Sequence, residues 1–140
     1  MKFWDASSVV PLLVEEADSS RREAQLREDP AMLVWWGTPV ECVSALQRLV
    51  REEALTADAA LMAEERLRQL ESTWIEIEAS HPVRLQAHRL LRVHPLRAAD
   101  ALQLAAALVA CGTEPGALPF LTADQRLRQA AAKEGFPVPD

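Results

Sequence analysis

Leu96-Arg97-Ala98-Ala99-Asp100-Ala101-Leu102-Gln103-Leu104-Ala105-Ala106-Ala107 opens a helix that the pattern extends from about Leu96 to Cys111, with Gly112 as its stop. From Ala98 to Ala110 the only polar residues are Asp100 and Gln103, so the helix is apolar nearly all round and belongs in the interior. An ionised aspartate there needs a partner, because desolvation without one costs several kcal/mol or drives protonation. Placed in the first turn, Asp100 gains only ~0.3 to 1 kcal/mol from the helix dipole, which is too little by itself.

Outward from this helix the chain alternates. On its C-terminal side, Leu118 to Thr122 reads as a strand, Asp124 to Lys133 as a helix stopped by Gly135, and Phe136 to Val138 as a fifth strand. On its N-terminal side, His81-Pro82 starts a helix reaching Val93, and Trp74 to Ile77 has the β-branched and aromatic content of a strand. Thr38, Pro39 and Glu41 fit the N-cap, first and third positions of a helix to about Glu53, in a capping-box pattern. Thr56 caps its hairpin partner, Ala57 to about Leu70. Met32 to Trp36 is a strand, Ser19 to Arg27 a polar helix, and Lys2 to Asp5 the first strand, leading to a short helix with Pro11 in its first turn. Strands separated by helices imply an α/β fold with a parallel sheet covered on both faces, in one domain over residues 1–140.

The composition, 49% hydrophobic and 26% charged over 140 residues, suits a globular domain with a substantial core. No run approaches the roughly 20 apolar residues of a membrane span, and Met-Lys-Phe-Trp-Asp meets an acid before a signal-peptide core could form. A cytoplasmic protein is expected, with Cys42 and Cys111 reduced and buried in apolar helical patterns. The net charge of −6 opposes a general attraction to nucleic acid but leaves room for a local one. All basic residues except Lys2 and Lys133 are arginine, the better fork for phosphate, although a GC-rich coding bias explains this equally well.

Four acids, Asp5, Glu41, Asp100 and Asp124, stand where a strand ends or a helix begins. In an alternating fold those junctions share the carboxyl edge of the sheet. Each acid taken singly could be a helix cap, but Ser, Thr and Asn cap about as well, and all four positions carry a carboxylate. Carboxylates crowded at ~4 Å repel by roughly 4 kcal/mol per pair at an effective dielectric near 20, and a divalent ion is the simplest way to offset that.

With these residues in view, the chain resembles PIN-domain ribonucleases, specifically the VapC toxins of bacterial toxin–antitoxin pairs. The resemblance rests on Phe3-Trp4-Asp5-Ala6-Ser7-Ser8, Thr38-Pro39-Val40-Glu41 with Ser44-Ala45-Leu46, the Leu96–Ala107 segment and Leu121-Thr122-Ala123-Asp124-Gln125-Arg126-Leu127. It implies a three-layer α/β sandwich with a short, mainly parallel sheet, metal binding by Asp5, Glu41, Asp100 and Asp124, and hydroxyl support from Ser7 and Thr122. It further implies Mg²⁺ or Mn²⁺ dependence, cleavage of RNA (structured transfer or ribosomal RNA over random message), homodimers and inhibition by a cognate antitoxin. The 38–72 hairpin is expected to expose a groove for that antitoxin.

Other residues have two readings each. Arg97, one turn before Asp100, either contacts a phosphate or is a solvated helix-start arginine. Arg84, His88 and Arg92 share one helix face, as an RNA-backbone strip or, more commonly, as a solvated face. Trp4, Trp35, Trp36 and Trp74 are expected in the core, with base stacking as the second reading for Trp35 and Trp36. A non-catalytic RNA- or partner-binding module is the alternative to the nuclease. An aspartate phosphotransfer site is disfavoured, because Ser7 stands where it would want a second aspartate.

Overall fold

The computed structural model describes all of residues 1–140. The elements in chain order are β1 (Lys2–Trp4), α1 (Ala6–Leu13), α2 (Ser19–Glu28), β2 (Met32–Trp35), α3 (Thr38–Arg51), α4 (Ala57–Glu71), β3 (Ile75–Ile77), α5 (His81–Val93), α6 (Ala98–Cys111), a 3₁₀ turn (Pro115–Ala117), β4 (Phe120–Leu121) and α7 (Gln125–Lys133). The four strands form one parallel sheet in the order β3-β2-β1-β4, with Phe3 opposite Leu33 on one side and Phe120 on the other. No helix is long and apolar enough to cross a membrane.

Alternation along the short strands sends side chains to opposite faces, and each face builds its own core. Phe3, Leu33, Trp35 and Phe120 pack with α5, α6 and α7; Trp4, Met32, Val34 and Leu121 pack with α1, α3 and α4. The result is the three-layer α/β sandwich expected from the sequence. Helix α6 is the central member of its layer, in contact with α5, β2, β3 and α7, and Ala101, Leu104, Ala105, Ala106 and Ala107 are all buried. Its alanines allow close approach to the sheet, where Phe3 and Phe120 stack with ring centroids 5.1 Å apart. Gly112 and Gly135 take φ of +61° and +100° just past α6 and α7, the left-handed conformation that makes glycine an effective helix stop.

Five expectations are corrected. Pro11 is the sixth residue of α1 and lies inside the helix, past its first turn. Phe136 to Val138 forms no strand: Pro137 and Pro139 lack the N–H groups a ladder needs, and the segment gives β4 one bond, Phe120 N to the Pro137 carbonyl at 2.8 Å. Trp36 is 56% exposed, because the chain leaves β2 at Trp35 and turns into α3; Trp4, Trp35 and Trp74 are buried. Cys111 is half-buried at the end of α6, whereas Cys42 is fully buried. The Thr38 cap is absent: α3 begins at Thr38 itself, Gly37 precedes it without a side-chain cap, and the threonine hydroxyl is engaged elsewhere.

Leu104 sits between α6 and the sheet with no exposed surface, so Leu104→Ala should lower unfolding stability by about 2 to 5 kcal/mol. Ile75→Thr on the half-exposed edge strand should change it by no more than about 0.5 kcal/mol. Urea denaturation of the two variants beside the parent checks both values.

Candidate metal centre

Asp5 follows β1 directly and is the N-cap of α1. Its carboxylate is 3% exposed. Ser7 N donates to Asp5 Oδ2 at 3.3 Å, Thr122 Oγ1 donates to the same oxygen at 2.9 Å, and so does Ser7 Oγ. The two hydroxyls are themselves 3.2 Å apart. Ala123 N donates to Ser7 Oγ at 2.9 Å and Asp124 N to Thr122 Oγ1 at 3.1 Å, which ties the β4–α7 connection to Asp5. Burial raises the Asp5 pKa above the ordinary carboxylate value, and the bonds from Ser7 and Thr122 work in the opposite direction.

Glu41 lies in the first turn of α3 but does not reach back to the cap. Gln103 of α6, fully buried, donates Nε2 to Glu41 Oε2 at 2.7 Å and to Thr38 Oγ1 at 3.1 Å. A buried amide N–H must find acceptors, and this one takes both groups that a capping box would have used. The two polar residues of an otherwise apolar helix thus both serve this edge: Asp100 as an acid in its first turn, and Gln103 one turn later as the tether of Glu41.

Asp124 caps α7, accepting from Leu127 N through Oδ1 at 2.8 Å, so capping and membership of the acid group coincide in one residue. Arg97 is the N-cap of α6, where its side chain makes no capping bond and stands exposed.

The charges that each acid feels indicate their order along the edge. Burial first, then the charges of Asp5 and Asp100, push the Glu41 pKa up to about 7, with the Gln103 bond opposing. Burial, then Asp124 and Asp5, push Asp100 up to about 6, with Arg97 opposing. Asp5 and Asp100 are therefore the centre of the row, and Glu41 and Asp124 flank it. No three of these side chains converge on a common point as a preformed cage. The donor set nonetheless fits a hard divalent cation: it is all carboxylate oxygen, mutually repelling, and Mg²⁺ typically engages one or two carboxylates while keeping several waters.

Arg22, on the polar helix α2, is 1% exposed beneath this edge. It donates Nη2 to the Thr122 carbonyl at 3.2 Å and Nη1 to Gln25 Oε1 at 3.0 Å, with Asp18 at 3.6 Å. No local pattern marks it out, since Arg22 looks like Arg21 and Arg27 in the same polar segment. Arg84, His88 and Arg92 face solvent on α5 and border none of the clefts beside the acids. The 38–72 hairpin does leave an apolar cleft, where Leu55, Met62 and Ala63 meet Leu13 and Val14 of the α1 end.

No family model matches the sequence, and no curated protein matches it. Among solved structures, the chain is similar to one described as a toxin-antitoxin complex from Klebsiella pneumoniae, with a TM-score of 0.66 at 17% identity, covering 90% of this chain and 88% of that one. It is also similar to FitAcB from Neisseria gonorrhoeae, with a TM-score of 0.65 at 19% identity and 94% of each chain covered. At these identities the likeness is one of fold.

The raised values fix a sign for stability. Between the ordinary value of 4.5 and about 7 for Glu41, and between 3.8 and about 6 for Asp100, the folded chain holds protons that the unfolded chain has released. Their contribution is present below those windows and is lost as pH rises through them. Metal-free protein should therefore lose thermal stability from these groups between about pH 4 and pH 7, with little further loss by pH 8. Glu41→Gln or Asp100→Asn should flatten that loss and raise stability at pH 8 by about 1 kcal/mol, allowing for solvent screening. Calorimetry in EDTA across this range decides it; variants less stable than the parent at pH 8 would contradict the electrostatic picture.

Proposed function

We propose that this chain is a Mg²⁺- or Mn²⁺-dependent endoribonuclease with a PIN-like, VapC-type site, acting in the cytoplasm as the toxin of a toxin–antitoxin pair. The observation that carries the reading is the row of four carboxylates on one sheet edge, where Glu41 and Asp100 are raised to about 7 and about 6 by burial and by the other acids. Such a row opposes folding unless a cation occupies it, so it is a feature that function has to justify. The likeness in fold to two solved structures, one of them described as a toxin-antitoxin complex, supports the biological part.

Asp5 and Asp100, flanked by Glu41 and Asp124, would hold the ion. A bound Mg²⁺ or Mn²⁺ supplies Lewis-acid stabilisation of phosphoryl charge and activation of water at neutral pH. The chain's own residues supply orientation. Ser7 and Thr122 hold Asp5 Oδ2 in place, which fixes the direction of the carboxylate. Gln103 does the same for Glu41. Asp124 is held by its capping bond to Leu127 N. Carboxylates ligate and position, and no side-chain general base is assigned. Arg97, exposed near Asp100, would meet a phosphate oxygen of the substrate. The apolar cleft at Leu13, Leu55 and Met62 is a surface that an antitoxin segment would cover, and a homodimer is the expected assembly.

Asp100→Asn should abolish Mn²⁺-dependent cleavage of RNA by highly purified protein, and Ser7→Ala should reduce it by roughly 10- to 100-fold through a misdirected Asp5. Gel analysis of RNA ends with and without EDTA checks both. Full Mn²⁺-dependent activity in Asp100→Asn would refute the assignment, and RNA binding indifferent to metal and without turnover would favour a non-catalytic binding module instead.

A further inference from the structure

Two clefts open along the edge that bears the acids. One passes Ser7 and Glu41 and is bordered by Arg48 of α3 and by Arg97. The other passes Asp100 and Asp124 and is bordered by Arg97 and by Arg126 of α7. Arg97 and Ala99 line both, so the clefts join at the start of α6 into one groove. Along it the order is Arg48 at the Glu41 end, Arg97 at the junction and Arg126 at the Asp124 end.

These three arginines form no ion pair and no side-chain hydrogen bond, a state they share with Arg27, Arg51, Arg66, Arg84 and Arg92, whereas Arg21, Arg22, Arg68, Arg89 and Arg128 pair with carboxylates; what sets the three apart is that they border the acids. In a chain with more acids than bases, leaving cations free beside the densest group of acids needs a reason. An acid row repels a polyanion by about 1 kcal/mol per charge pair at 4 Å even in water, so a phosphate backbone crossing it needs attraction on either side. Guanidinium groups flanking the row provide that attraction, in the bidentate form suited to phosphate.

We infer that Arg48 and Arg126 bind backbone phosphates on opposite sides of the acid row, seating a single-stranded RNA segment along the groove with Arg97 between them. The inference rests on the nuclease reading above and extends it to Arg48 and Arg126, two residues given no role there. A single strand is the form that fits, because Asp5 is 3% exposed and lines neither cleft, so only a backbone that bends inward between the starts of α3 and α7 can approach it. A rigid A-form duplex presents its phosphates on a continuous helical surface, whereas an unpaired segment can splay its bases outward.

The test uses the full chain with Mg²⁺ and a labelled 2′-O-methyl oligoribonucleotide of about 12 residues, followed by fluorescence anisotropy as salt is varied. Arg48→Ala and Arg126→Ala should each lower the magnitude of the slope of log K against log salt by ~0.7, weakening binding about fivefold near 0.1 M salt, and the double variant should be roughly additive. Arg27→Ala, an exposed arginine on α2 away from the groove, should leave the slope unchanged. The inference is overturned by an unchanged slope in the Arg48 and Arg126 variants, by an equal loss in Arg27→Ala, by absence of binding to the parent, or by a duplex of the same sequence competing as well as the strand. If the strand binds with the expected slopes but purified parent protein with Mn²⁺ cuts no RNA, the groove stands and the catalytic reading falls. If RNA is cut and the slopes do not move, the groove falls and the catalytic reading stands.

Discussion

Asp5 places a carboxylate at the end of an interior strand with almost no access to solvent, and the elements that meet at this edge converge to hold it. Strand β1 delivers it, α1 returns the Ser7 amide and hydroxyl to it, and the β4–α7 connection brings Thr122. Arg22 then secures that connection from below by its bond to the Thr122 carbonyl. Burying an arginine with one nitrogen, Nε, left without a partner is costly, so its presence indicates how closely the position of Thr122 is constrained. The order of the sheet follows from the same requirement, since β1 must lie between β2 and β4 for Asp5 to have α3 on one side and α7 on the other.

The four helix starts at this edge favour negative charge, but magnitudes decide against the helix dipole as the sole reason for the acids. Each helix terminus contributes about 0.3 to 1 kcal/mol to a nearby carboxylate, while a close carboxylate pair repels by roughly 4 kcal/mol at an effective dielectric near 20. At Glu41 and Asp100 burial, and after it the neighbouring acids, hold the pKa above the ordinary carboxylate value even though both stand in the first turn of a helix. Asp124 shows how one residue can meet both demands, with Oδ1 committed to the Leu127 amide. Capping fixes the carboxylate in space, and under the proposed function the neighbouring acids would make the fixed group part of a cation site.

Much of this was legible in the sequence, for identifiable reasons. An aspartate and a glutamine alone in an apolar helix are rare enough to attract attention, and both proved to belong to this edge. The four acids could be aligned because strand and helix alternation fixes which ends of the elements share an edge. What escaped depends on long-range contact. Thr38 and Glu41 fit a local capping box, yet a buried amide 62 residues away from Glu41 took both groups, and no local pattern encodes that competition. Trp36 continued an apolar run whose strand had already ended, and Arg22 sat among surface arginines on a polar helix while its own side chain was fully enclosed.

The overall charge of −6 bears on how an RNA-binding groove could operate here. A chain with a broadly positive surface gains non-specific affinity from every phosphate it neutralises, whereas an acidic chain repels a polyanion at distances comparable to the Debye length of about 8 Å in physiological salt. Attraction would then be confined to the groove, where Arg48, Arg97 and Arg126 are free of internal partners. Only a strand that enters and satisfies several contacts at once would bind, and a strand that lies across the exterior would be rejected. On this view the excess of acids outside the site acts as a filter: it lowers affinity for RNA in general and leaves discrimination to the few arginines that border the carboxylates.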